Sequence, residues 1–183
     1  GTTEDNGAVL GLGHVRHGGA GVTNVGMLTE DQEGFLPKLK EAFDACGFQV
    51  KIHDNIQQLI WDKLFTNVSL SALTGVLQVD MGYIAGNEYA WNLCCQLIHE
   101  TAMTAKAGGL TFDEDKMREK VRLTSVNNPN GCTSIRADLR DGRKTEVDTI
   151  SGAVVRAAEK YGVEVPGHSF IVRMVHAMEG RNK

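Results

Sequence analysis

Five side chains form a set able to do polar chemistry: Lys63, Asn67, Ser71, Ser134 and Glu146. The first three recur at intervals of four in Trp61-Asp62-Lys63-Leu64-Phe65-Thr66-Asn67-Val68-Ser69-Leu70-Ser71, which puts them on one row of a helix. Ile60, Leu64 and Val68 beside them are apolar, so the row borders a buried surface. An ammonium partly withdrawn from water at such a border is disfavoured, which prepares a lysine to give up a proton as an acid catalyst. Asn67, one turn on, can hold a substrate oxygen beside it. Taken alone, an exposed lysine on an amphipathic helix is the plainer account.

Ser134 and Glu146 belong to a second polar stretch, which runs from Cys132-Thr133-Ser134 through Asp138 and Gly142-Arg143 to Thr145-Glu146-Val147-Asp148. Two accounts of it are open. Thr145 can cap a following helix, with Asp148 in a capping-box-like position and Glu146 favouring the helix dipole. Alternatively, Ser134 and Glu146 point into the cleft that Lys63 faces.

The elements that must position these residues fall into two textures. Residues 1–54 combine a glycine-rich, alternating stretch (two or three short strands joined by glycine turns) with a helix over 33–46, capped at Gly47, and a strand over 48–52. That order fits the edge of an α/β sheet and is too little for a complete one. Residues 55–183 read as helical: 56–73, 88–107, a helix opened by the N-cap Asp113, 148–161 closed by Gly162, and a last helix begun by Pro166. The inward faces read as Trp91, Cys95, Ile98, Ala102 and Ala105 for one helix and Phe170, Ile171, Met174, Val175 and Met178 for another. An irregular gap over 127–145 interrupts them, and such gaps are where function concentrates.

Gly11-Leu12-Gly13 and Gly19-Ala20-Gly21 begin like a dinucleotide fingerprint but lack its third glycine and the strand-to-helix setting that phosphate binding needs. They read as turns.

The spacing W-x-K-x-x-x-N-x-x-x-S at Trp61, Lys63, Asn67 and Ser71 is followed by Ser134, Asp138, Gly142-Arg143, Thr145-Glu146-Val147-Asp148, Ile150 and Gly152. Together these resemble the ketopantoate reductase (2-dehydropantoate 2-reductase) family. Gly162-Val163-Glu164-Val165-Pro166 looks like that family's G-V-x-x-P, and the opening segment around Gly13, His17 and Gly26 resembles the last strands of its cofactor domain.

The resemblance implies a mainly α chain. Residues 1–54 would be a remnant of a Rossmann-type cofactor domain. Residues 55–183 would be an all-helical substrate domain, similar to the C-terminal domain of 6-phosphogluconate dehydrogenase. It implies reduction of a 2-keto acid with NADPH as cofactor, in the service of pantothenate biosynthesis. By similarity Lys63 is the general acid, Asn67, Ser71 and Ser134 bind substrate, and Glu146 contacts substrate hydroxyl or cofactor. Many members carry asparagine where Ser71 stands and another near Met81, which bears on the choice of keto acid. The family's glycine loop is expected upstream of Gly1, so these residues alone are expected to be inactive.

A net charge of −4 over 183 residues, with dispersed Lys and Arg, argues against a nucleic-acid partner. No apolar run is long enough for a membrane span, and no signal peptide is read at the start. Cys46, Cys94, Cys95 and Cys132 form no metal-ligand spacing, so thiols in a reducing cytoplasm and no metal are expected. The helices over 88–107 and 166–179 carry more inward residues than one layer buries, which suggests a homodimer. The alternatives are a related reductase of another keto acid, or a non-catalytic helical dimerisation module.

Overall fold

A computed structural model describes residues 1–30 and 33–182, which form two compact units, Gly1–Trp61 and Asp62–Lys183. In the first unit β1 (Thr2–Thr3) pairs antiparallel with β4 (Val22–Val25), while β2 (Asn6–Gly11) and β3 (His14–Gly19) form a separate hairpin. After α1 (Phe35–Ala45), β5 (Gln49–Ile52) returns parallel to β4 with Val22 opposite Gln49. Parallel neighbours need such a crossover, and the helix supplies it. The glycine-rich stretch over 7–27 holds three strands, β2, β3 and β4, where two or three were expected, and the two-residue β1 precedes it.

Gly47 ends α1 as expected. At φ +87 its N–H bonds the carbonyl of Asp44, the Phe48 N–H reaches that of Phe43, and the two phenylalanine rings lie 5.6 Å apart. That is a Schellman closure with its hydrophobic contact. Of the glycine pairs expected as turns, Gly11-Leu12-Gly13 makes the turn between β2 and β3, with Gly13 at φ +70, whereas Gly19 ends β3 and Ala20-Gly21 is irregular backbone leading into β4; neither pair opens a helix.

α2 (Ile56–Thr66) leads into the second unit. There follow a π-helical turn (Asn67–Ser71), α3 (Ala72–Leu77), α4 (Met81–Gly86), α5 (Glu88–Ala107), α6 (Glu114–Asn127), α7 (Ser134–Arg140), α8 (Ser151–Tyr161), α9 (Pro166–Glu179) and a closing 3-10 turn (Gly180–Asn182). Phe65, Ile84, Ile98, Val121, Ile135 and Val154 anchor one continuous core. Asp113 caps α6 as predicted, accepting the Lys116 N–H at 3.1 Å.

Four expectations change. The gap over 127–145 contains α7, a seven-residue helix too short for its single apolar pair, Ile135 and Leu139, to stand out in sequence. Thr145 does not cap α8, which starts only at Ser151. The buried face of α5 runs through Cys94, Leu97, Thr101 and Thr104 rather than Cys95 and Ala102. Its threonines are tolerated there because each donates to a carbonyl four residues back, at 2.8 Å in both cases. Phe170 of α9, expected inward, is 60% exposed.

Candidate functional site

Lys63 lies in the last turn of α2 and is exposed, Asn67 is half-buried, and Ser71 is buried. The row therefore descends from the surface into the core. The expectation that Lys63 borders a buried surface holds only for its neighbours, since Phe65 and Val68 are fully buried. Asp62 beside it forms an ion pair with Lys120 of α6.

The row is not a uniform α-helix. Asn67 and Ser71 are the first and last residues of the π-helical turn, and the Ala72 N–H bonds the carbonyl of Asn67, five residues back. Buried hydroxyls bond the carbonyls around this turn: Ser69 Oγ donates to the Phe65 carbonyl at 2.6 Å and Thr74 Oγ1 to that of Leu70 at 2.7 Å. The extra residue in the turn interrupts the α-helical period between Asn67 and Ser71. Such π insertions recur at functional sites. Only the density of buried Ser and Thr over 69–74 could have signalled this one.

α3 then brings Ser134 alongside. The hydroxyls of Thr74 and Thr133, the residue before α7, lie 2.7 Å apart. One residue on, a Cβ at Gly75 would fall 2.4 Å from Ile135 Cγ2, so α3 and α7 approach as closely as they do only with glycine there. Ser134, exposed at the first position of α7, is thus carried next to the segment that follows Ser71.

Glu146 is fixed by different means. Arg143 bonds Asp138 at 2.9 Å and Asp141 at 2.7 Å around Gly142 (φ +68), so the D-x-x-x-G-R spacing closes the turn after α7. Arg140 and Arg143 hold the Asp141 carboxyl down at about 2. Thr145 and Val147 are buried on either side of the exposed Glu146. The Glu146 carbonyl accepts from the N–H groups of Thr149 (3.0 Å) and Ile150 (3.1 Å), and the residue itself is exposed. The structure thus joins the Ser71 and Ser134 segments directly and anchors Glu146 separately, on α9. Met81 is buried, with its carbonyl accepting from Ser125 Oγ at 2.6 Å.

The family model for the ketopantoate reductase PanE/ApbA C terminal matches residues 55–179, which span all five of these residues. The chain belongs to the ketopantoate reductase family.

Within that family a 2-dehydropantoate 2-reductase of Pyrococcus horikoshii is 27% identical over 175 residues, covering 95% of this chain and 58% of that protein. The chain spans a little over half the length of the curated relatives it matches. Among solved structures, the complex of D-mandelate dehydrogenase with NADH superposes with a TM-score of 0.89 at 25% identity, over 99% of this chain and 62% of that one. The dimeric ketopantoate reductase from Staphylococcus aureus shares the fold, with a TM-score of 0.86 at 20% identity, over 100% and 62% of the two chains. No described helix is long and apolar enough to cross a membrane.

Proposed function

We propose that the protein containing this chain is an NADPH-dependent, cytoplasmic 2-dehydropantoate 2-reductase, in which residues 55–183 form the substrate domain. The observation that carries this reading is the polar row ending in the π-helical turn, packed through Thr74 and Thr133 against the helix that begins at Ser134. The family match spans both segments.

When bound, the coenzyme would supply the hydride for reduction of the keto acid at carbon 2, with Glu146 the residue of this chain that would contact it. Lys63 stabilises the negative charge that develops on the ketone oxygen and then protonates it, giving the hydroxy acid. Lys63 is exposed in this chain. Asn67 hydrogen-bonds the substrate near that oxygen, Ser71 lies deeper on the same segment, and Ser134 binds the carboxylate. Glu146 is the residue here assigned to the coenzyme. The glycine turns of the first unit do not make the strand–turn–helix cradle that a pyrophosphate requires, so that cradle is assigned to the rest of the protein. Residues 1–183 alone are therefore expected to oxidise no NADPH.

A second reading, a reductase for a different 2-keto acid, is favoured by the D-mandelate dehydrogenase likeness, and by Ser71 and Met81, at or near which the family resemblance leads one to expect asparagine. Steady-state rates of the full-length protein with ketopantoate and with a panel of aliphatic and aryl 2-keto acids separate the two. A kcat/KM for ketopantoate at least tenfold above the others supports the first reading. Preference for an aryl keto acid overturns it.

We assign the protein to a homodimer through the helical unit, where Leu77, Leu93 and Phe170 expose apolar surface around one groove.

A further inference from the structure

The position of Glu146 is set by three side chains outside the reacting set. We propose that His176 and Glu179 of α9 are positioning residues for the Glu146 segment, and that they hold it, together with Asp148, only while His176 is an imidazolium. The proposal rests on the assignment of Glu146 to the coenzyme.

His176 Nδ1 lies 2.9 Å from Glu179 Oε2, and its Nε2 lies 3.0 Å from Asp148 Oδ1. Ionised carboxylates only accept, so both ring nitrogens must carry a proton for both bonds to exist. The second oxygen of Glu179 accepts the Thr145 N–H at 2.7 Å and the Thr145 hydroxyl at 2.8 Å. The Val147 N–H in turn donates to Thr145 Oγ1 at 3.2 Å. Residues 145, 147 and 148 are thereby tied directly or indirectly to one imidazolium–carboxylate bridge, and Glu146 projects from the middle of it.

The charged groups facing His176 are Glu179 from its own helix and Asp148 from the segment before α8; Arg156 of α8 donates to the Asp148 carbonyl at 3.0 Å. Glu179 first, then Asp148, raise the imidazole above its ordinary value, and burial opposes them. His176 keeps 41% of its side chain exposed, so solvent pH reaches it. When the ring deprotonates it retains a single N–H, and one of the two carboxylates loses its donor.

The test uses the full-length reductase labelled at histidine. In an NMR titration His176 should titrate above the ordinary imidazole range, and Asp148→Asn and Glu179→Gln should each lower its midpoint. Protection of the Thr145 and Val147 amides from hydrogen exchange should fall as His176 deprotonates. The KM for NADPH should rise about tenfold through the same midpoint, the scale of one lost charge-assisted hydrogen bond. In His176→Gln it should stay high and flat with pH, while kcat changes less. A His176 that titrates in the ordinary range, unmoved by either substitution, overturns the bridge. A bridge that titrates normally with a KM that ignores it overturns the assignment of Glu146, and the positioning role with it.

Discussion

Thr74 and Thr133 meet at 2.7 Å although 59 positions separate them in the chain, and this hydrogen bond joins the helix carrying the lysine row to the helix that begins at Ser134. The single proton of Thr74 is donated to the Leu70 carbonyl, so Thr133 is the donor between the two hydroxyls. Thr133→Val should cost about 1 kcal/mol in urea unfolding, the net value of one hydrogen bond. It should also weaken keto acid binding in the full-length enzyme. A variant with wild-type KM would separate this contact from substrate binding.

Gly75→Ala tests the same contact by crowding. The added methyl would meet Ile135 Cγ2 at 2.4 Å, and α3 and α7 must separate to admit it. The expected loss is about 1–3 kcal/mol, the usual cost of overpacking, seen as a lower urea midpoint with unchanged slope.

His168 makes stability depend on pH. It is fully buried, its Nε2–H reaching the Leu97 carbonyl and Thr101 Oγ1, both at 3.0 Å. Burial holds the imidazole below its ordinary value; hydrogen bonding to Leu97 and the charge of Glu100 oppose that only in part. For a group depressed in the folded state, the unfolded chain takes up protons first. Its contribution is therefore whole above pH 6.5 and is lost as pH falls from there toward the folded value. His176 acts with the opposite sign: its value is raised, so its smaller contribution is present at low pH and fades as pH rises through the folded value. Urea midpoints measured across this range should fall on acidification, and the fall should shrink in His168→Leu.

The four thiols should differ in reactivity. Burial pushes Cys94 up to about 12, whereas Cys46 and Cys132 are exposed. Iodoacetamide near neutral pH should label Cys46 and Cys132 first and leave Cys94 unmodified until unfolding, as read by peptide mass spectrometry.

Much of this architecture is legible in the sequence where one residue decides a local structure. Asp113 announces the start of α6, Gly47 the end of α1 and Gly162, at φ +69, the end of α8. What was not legible depends on partners far along the chain. Thr101 and Thr104 read as polar yet are core, because their own helix carbonyls take their protons. Thr145 looks like a cap until Glu179, 34 residues on, claims both its N–H and its hydroxyl. Lys63, Asn67 and Ser71 read as a row of fours on one α-helix, yet Asn67–Ser71 is π-helical, beside the buried hydroxyls of Ser69 and Thr74.

Lys63 is the residue proposed to deliver the proton in a keto acid reduction. The most direct measurement is the single-turnover rate of the full-length enzyme carrying Lys63→Ala, with ketopantoate and NADPH both saturating. A fall of about 100-fold or more is predicted, the scale of a lost general acid, with the fold retained by circular dichroism. A rate equal to that of the unsubstituted enzyme would contradict it.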